Sequence, residues 1–120
     1  DWQGASLQLT QLINSGFSNK EVLVKRGVVL YHQNDFVKAK ADFDEALKAR
    51  VNTQELFEYR GNARYKLDDV QGAAADLEKA VSLGAQSLEV WSNLGNAKFR
   101  MENYKEAIIN YDKAIALEPD

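Results

Sequence analysis

Few residues of this chain have types suited to chemistry, and their spacing argues against it. His32 is the single histidine among 120 residues, and there is no cysteine. A zinc site built on paired imidazoles or on thiolates therefore cannot form within the chain. The plainer reading of His32 is a surface residue at a helix end. Asp68-Asp69 and Asp44-Glu45 offer carboxylate pairs for acid–base work or metal ligation. No apolar run lies over either pair to shift a pKa, so they read as solvated turn and capping residues. A calcium loop would need oxygen ligands along about 12 residues around a central glycine, and none occurs. A glycine-rich phosphate loop and a G-x-S-x-G elbow are absent as well. The expectation is a chain that is not an enzyme and holds neither metal nor cofactor.

Bulk composition narrows the partners. An apolar fraction of 45% is ordinary for one folded domain, and 15 basic against 18 acidic side chains leave a formal charge of −3. That is not the basic footprint that phosphate neutralisation demands, so nucleic acid is not an expected partner. No apolar run approaches the ~20 residues that cross a bilayer, and Asp1 to Leu12 lack the basic flank and apolar stretch of a signal peptide. No membrane insertion is expected. The absence of cysteine does not fix the compartment.

The elements that must position any functional side chain show up as an internal repeat. Gly27, Gly61 and Gly95 are spaced by 34 residues, as are Ala39, Ala73 and Ala107, and again Ala46, Ala80 and Ala114. Bulky Phe43, Leu77 and Tyr111 stand between the two alanine columns. From Lys20 to His32, apolar Leu23, Val24, Gly27, Leu30 and Tyr31 recur at the three-and-four spacing of an amphipathic helix. That helix should stop near Gln33-Asn34-Asp35, with Asp35, Asp69 and Asn103 placed to cap the helix that follows. The second helices then run to about Ala49, Leu83 and Leu117, with Gly84 and Pro119 as stop signals and Ser18-x-x-Glu21 as a capping box. Small residues at Gly27, Ala39 and Ala46 would let the two helices of a hairpin approach closely while Leu23 and Phe43 fill the space around them.

Counted from Lys20, Gln54 and Leu88 as position 1, the third copy reads Trp91-x-x-Leu94-Gly95, Ala107-x-x-x-Tyr111-x-x-Ala114, Pro119. This pattern resembles the tetratricopeptide repeat from Lys20 to Asp120 without insertion. The resemblance implies an all-α, right-handed α-solenoid of antiparallel helix hairpins with seven helices. Residues 20–53, 54–87 and 88–120 would be three repeats. Residues 1–19 would be the second helix of a preceding repeat plus its turn, because Asp1 to Ala5 align with Asp69 to Ala73. On that reading the polypeptide is an excised piece of a longer protein. Two departures stand out: Leu30, Arg64 and Lys98 replace the family's aromatic at position 11, and Arg26 and Arg60 stand at position 7. Those long basic chains would lay their stems on the core and reach water with their heads.

Function follows from the resemblance as the binding of a protein or peptide in a concave groove made by the first helices. Family groove positions, one helical face by their spacing, select Lys25 and Val28 in the first repeat. They select Glu58, Tyr59, Asn62 and Tyr65 in the second, and Ser92, Asn93, Asn96 and Arg100 in the third. Asn62 and Asn96, in line, could hydrogen-bond the backbone of an extended peptide. The positions at which chaperone-binding relatives clamp a terminal carboxylate hold Val24, Val28, Tyr59, Glu89 and Asn93, so chaperone C-terminal tails are disfavoured partners. Glu21, Glu55 and Glu89 at one helix end face His32, Lys66 and Arg100 at the other, as the helix dipole favours. The alternative function is self-assembly into a homo-oligomer through uncapped terminal helices, with Ile108, Tyr111 and Ile115 as the contact.

Overall fold

A computed structural model describes residues 1–16 and 20–118 of the chain. The capping box at Ser18 and the stop at Pro119 lie outside the described residues. Among those described there are seven α-helices and no strand: α1 (Trp2–Asn14), α2 (Lys20–His32), α3 (Phe36–Lys48), α4 (Gln54–Lys66), α5 (Val70–Ser82), α6 (Leu88–Arg100) and α7 (Tyr104–Leu117). They fall into two compact units, Asp1–Asn52 and Thr53–Asp120. In the first, α1 packs on α2 and α2 on α3. In the second, α4 pairs with α5 and α6 with α7, and α6 also lies against both α5 and α4.

The turns after α2 to α6 are closed by the same local chemistry. Val51 N donates to Ala46 O at 3.0 Å and Arg50 N to Leu47 O at 2.9 Å, the paired bonds of a Schellman motif. The same pairs recur after α2, α4, α5 and α6. The motif needs a left-handed residue, and Asn34, Asp68 and Glu102 supply it after the first helices with φ of 64, 69 and 64°. After the second helices Gly84 has φ 109°, as a terminal glycine should, but its counterpart one repeat earlier is Arg50 at φ 69°. Asp35 and Asp69 then cap the following helices by accepting from Lys38 N at 3.2 Å and Gly72 N at 3.0 Å. Asn103 occupies the same place but makes no side-chain capping bond, which departs from the expectation for that residue. Thr53 and Ser87 cap α4 and α6 through Leu56 N and Val90 N.

The small-residue columns are where the helices of a hairpin come closest. A Cβ added at Gly27 would lie 2.6 Å from the Phe43 ring, one at Gly61 2.8 Å from Leu77, and one at Gly95 2.7 Å from Tyr111. Ala39, Ala46, Ala73 and Ala80 are buried beside them. Arg26 and Arg60 differ from their expected course toward water. Arg60 Nε and Nη2 donate to the two carboxylate oxygens of Asp76 at 2.8 and 2.9 Å, both residues buried. Arg26 grips Asp42 in the same bidentate way at 2.7 Å. An arginine inside a hairpin must keep a partner for its charge, and the aspartate sixteen residues on, across the helix pair, is that partner. In the third repeat buried Leu94 and Asn110 stand at these positions.

Candidate functional site

The selected residues of the second and third repeats lie on α4 and α6, which pack side by side. Asn62 does not face solvent as expected. It is 1% exposed, and its Oδ1 accepts from Asn93 Nδ2 at 2.9 Å. The two amides satisfy each other where α4 and α6 meet, since a buried amide without a partner is costly. Neither is open to a peptide backbone. Asn96, one period after Asn62, is half-buried, and its Oδ1 accepts from the Tyr111 hydroxyl at 2.6 Å. The two asparagines at this position thus have different surroundings.

That bond also relocates Tyr111. Its ring packs over Gly95 and its hydroxyl ends on Asn96, so the half-buried side chain is engaged within the α6–α7 hairpin. Ile108 and Ile115 remain outward, at 59 and 64% exposure. In the first unit Lys25 is exposed and Val28 half-buried on α2. His32 is exposed at the end of α2, with its imidazole stacked on the Trp2 indole at 4.4 Å.

The accessible part of the α4–α6 face has an acidic and a basic edge. At the N-terminal edge, Glu58 is half-buried and accepts from Ser87 Oγ at 3.5 Å. Burial raises its carboxyl from the ordinary value; bonds from Gln54 and Ser87 oppose the shift, and the charges of Glu89 and Glu55 reinforce it. Burial, then the carboxylates of Glu58, Glu55 and Glu89, likewise raise the Tyr59 hydroxyl. At the C-terminal edge Arg100 pairs with Asp68 and lies over the Tyr65 ring, 5.8 Å from its centroid. Ser92 and Tyr65 lie half-buried between these edges. Phe99 is exposed at the end of α6, edge-on to Tyr104. The face thus combines polar donors and acceptors with aromatic rings, and has opposite charge at its two ends.

Among the described residues no group of three or more histidine, aspartate or glutamate side chains is placed to hold a metal ion. No described helix is long and apolar enough to cross a membrane. Sequence reasoning missed the Arg26–Asp42 and Arg60–Asp76 pairs. The signal was present, because arginine and aspartate recur together at a 34-residue interval and are both replaced in the third copy.

Comparison with known proteins agrees with this architecture. Among solved structures, a crystal structure of MamA superposes with a TM-score of 0.84 at 23% identity, over 99% of this chain and 70% of that one. The first tetratricopeptide domain of Spaghetti (RPAP3), bound to the HSP90 peptide SRMEEVD, gives 0.71 at 25% identity, over 84% of this chain and 80% of that one. The tetratricopeptide domain of Arabidopsis OM64 gives 0.74 at 27% identity, over 84% of each. This chain spans 61 to 70% of the lengths of the MamA chains it matches. No curated protein matches the sequence significantly. The family model described as tetratricopeptide repeat matches residues 24–87, and a second of the same description matches residues 88–120. With the period, the hairpins and the glycine contacts already in place, this chain belongs to the tetratricopeptide repeat family.

Proposed function

We propose that this chain is a protein-interaction scaffold that holds a peptide or helical segment of a partner against the α4–α6 face of its second unit. The observation that carries the reading is the composition of that face. Tyr65, Ser92, Asn96 and Arg100 stand half-buried or exposed on the two helices that the buried Asn62–Asn93 pair joins, and they offer hydrogen bonds and a ring. The carboxylates of Glu55, Glu58 and Glu89 lie toward one edge and the cations of Lys66 and Arg100 toward the other. A segment laid across the two helices is oriented by that polarity. The first tetratricopeptide domain of RPAP3, 25% identical, is bound to a peptide, which supports peptide capture by this type of scaffold.

A peptide-display selection on the whole chain tests the reading. Selected peptides should lose at least about tenfold in affinity for a Tyr65→Ala, Arg100→Ala double variant. Equal binding by wild type and variant would remove the α4–α6 face from consideration.

A further inference from the structure

The same groove between successive second helices occurs in each unit, with opposite charge. In the second unit it is lined by α5, α6 and α7 through Glu78, Leu94, Lys98, Glu106, Ile109 and Asn110, and it encloses about 220 Å³. Lys98 spans it, paired with Glu78 on one wall and 3.2 Å from Glu106 on the other. Two repeats earlier the equivalent six positions, Thr10, Arg26, Leu30, Lys38, Ala41 and Asp42, line a groove of α1, α2 and α3 that encloses about 400 Å³. The bridge is missing there, because Leu30 stands for Lys98, Thr10 for Glu78 and Lys38 for Glu106. Thr10 and Ala41 are also smaller than Glu78 and Ile109, which leaves the larger space. Two carboxylates around one cation have become two cations and one carboxylate. The helix before α5, α4, lines no part of the second groove, so the three helices that make such a groove are all present in the first unit.

Arg26 gives Nε and Nη2 to Asp42 and keeps Nη1, which reaches Thr10 Oγ1 only at 3.5 Å, longer than an ordinary hydrogen bond. Lys38 Nζ stands 3.9 Å from Asp35, with its side chain 75% exposed. We propose that this groove binds a carboxylate carried on a short aliphatic stem, seated where Lys98 lies in the second copy. The stem covers Leu30 and Ala41. One carboxylate oxygen accepts from the Thr10 hydroxyl and Arg26 Nη1, and the other pairs with Lys38. A single head group can engage both walls, as Lys98 does in the second copy. The volume falls in the range of small-ligand sites. A cationic head group is a poorer occupant, since it would meet Arg26 and Lys38, like charge on like. The groove belongs to the first unit and shares no residue with the α4–α6 face.

The test follows amide proton–nitrogen shifts of the whole chain during titration with butyrate and, separately, with an acetylated and amidated Ala-Glu-Ala peptide. Saturable shifts are expected at Thr10, Leu30 and Ala41. Tighter binding of the peptide would identify the occupant as an acidic side chain of a partner polypeptide; equal or tighter binding of butyrate would identify a free small carboxylate. Butyramide and the Ala-Gln-Ala peptide, which lack the charge, should not saturate. Lys38→Glu, at an exposed position, should weaken binding about fivefold. The triple variant Thr10→Glu, Leu30→Lys, Lys38→Glu installs the bridge of the second copy and should abolish saturation with the helical circular dichroism retained. If that variant does not fold, Lys38→Glu alone decides. Tyr65→Ala with Arg100→Ala, on the α4–α6 face, should leave these shifts as they are. Absence of saturation with both carboxylates, an equal response to the neutral amides, or unchanged affinity in Lys38→Glu each overturns the proposal.

Discussion

Asp76 stands at the centre of a charged cluster inside the second unit. Its two oxygens accept from Arg60, and Arg64 Nη1 lies 3.3 Å from one of them. Removing one partner from a buried pair costs more than never having built it, because the remaining charge keeps its desolvation and loses its attraction. Asp76→Ala should therefore destabilise the chain by about 3–5 kcal/mol, measured by urea denaturation. The third repeat supplies the contrasting experiment, since Leu94 and Asn110 occupy the same two positions without a charge. Arg60→Leu with Asp76→Asn should recover most of that loss and end within about 1 kcal/mol of wild type. If the double variant is as unstable as the single one, the pair contributes more than charge neutralisation. At this scale the sequence was legible where residues covaried along the repeat, as Arg60 and Asp76 do. It was not legible at Asn62, because an asparagine's identity does not say whether the neighbouring helix brings a second amide within 2.9 Å.

Helices and turns were the most legible level. First helices begin at Lys20, Gln54 and Leu88, where the period put them, because apolar spacing, short polar breaks and small-residue columns all point the same way there. Turn conformation was harder to read. The left-handed position after each second helix holds Gly84 in one repeat and Arg50 in the preceding one, and an arginine gives no local signal for positive φ. A non-glycine residue there costs roughly 1 kcal/mol. Arg50→Gly should therefore stabilise the first unit by about 0.5–1 kcal/mol, less than the full strain because glycine also loosens the unfolded chain. Differential scanning calorimetry would register this as a higher midpoint. A lowered midpoint would show that Arg50 makes compensating contacts.

For the whole molecule, charge placement limits which partners fit. The residues of α4 and α6 at positions used elsewhere in the family to grip a terminal carboxylate are Tyr59, Glu89 and Asn93, none of them cationic. Glu55, Glu58 and Glu89 gather at one edge of the face, close enough to raise the Glu58 carboxyl further once burial has raised it. We expect SRMEEVD, the peptide bound by the RPAP3 domain, to bind this chain no more tightly than its C-terminally amidated form. Isothermal titration calorimetry would measure both. A clear preference for the free carboxylate would place a clamp on this chain after all. The helices that carry the proposed face, α4 and α6, were legible from the repeat register. Which of its side chains stay open was less so: packing between α4 and α6 closed Asn62 and Asn93, and packing between α6 and α7 engaged Asn96. Register fixes which face a side chain takes, but contacts between neighbouring helices decide whether it stays open.

The stack of Trp2 on His32 gives the chain a pair of optical reporters. Of its two tryptophans, Trp2 is half exposed in the first unit, while Trp91 is buried in the second at 9%. Their indoles sit in different polarity, so their emission differs in colour. Replacing either one with phenylalanine leaves a single fluorophore that follows the loosening of one unit, and comparing the two traces tells whether the halves of the chain melt as one cooperative body or in sequence.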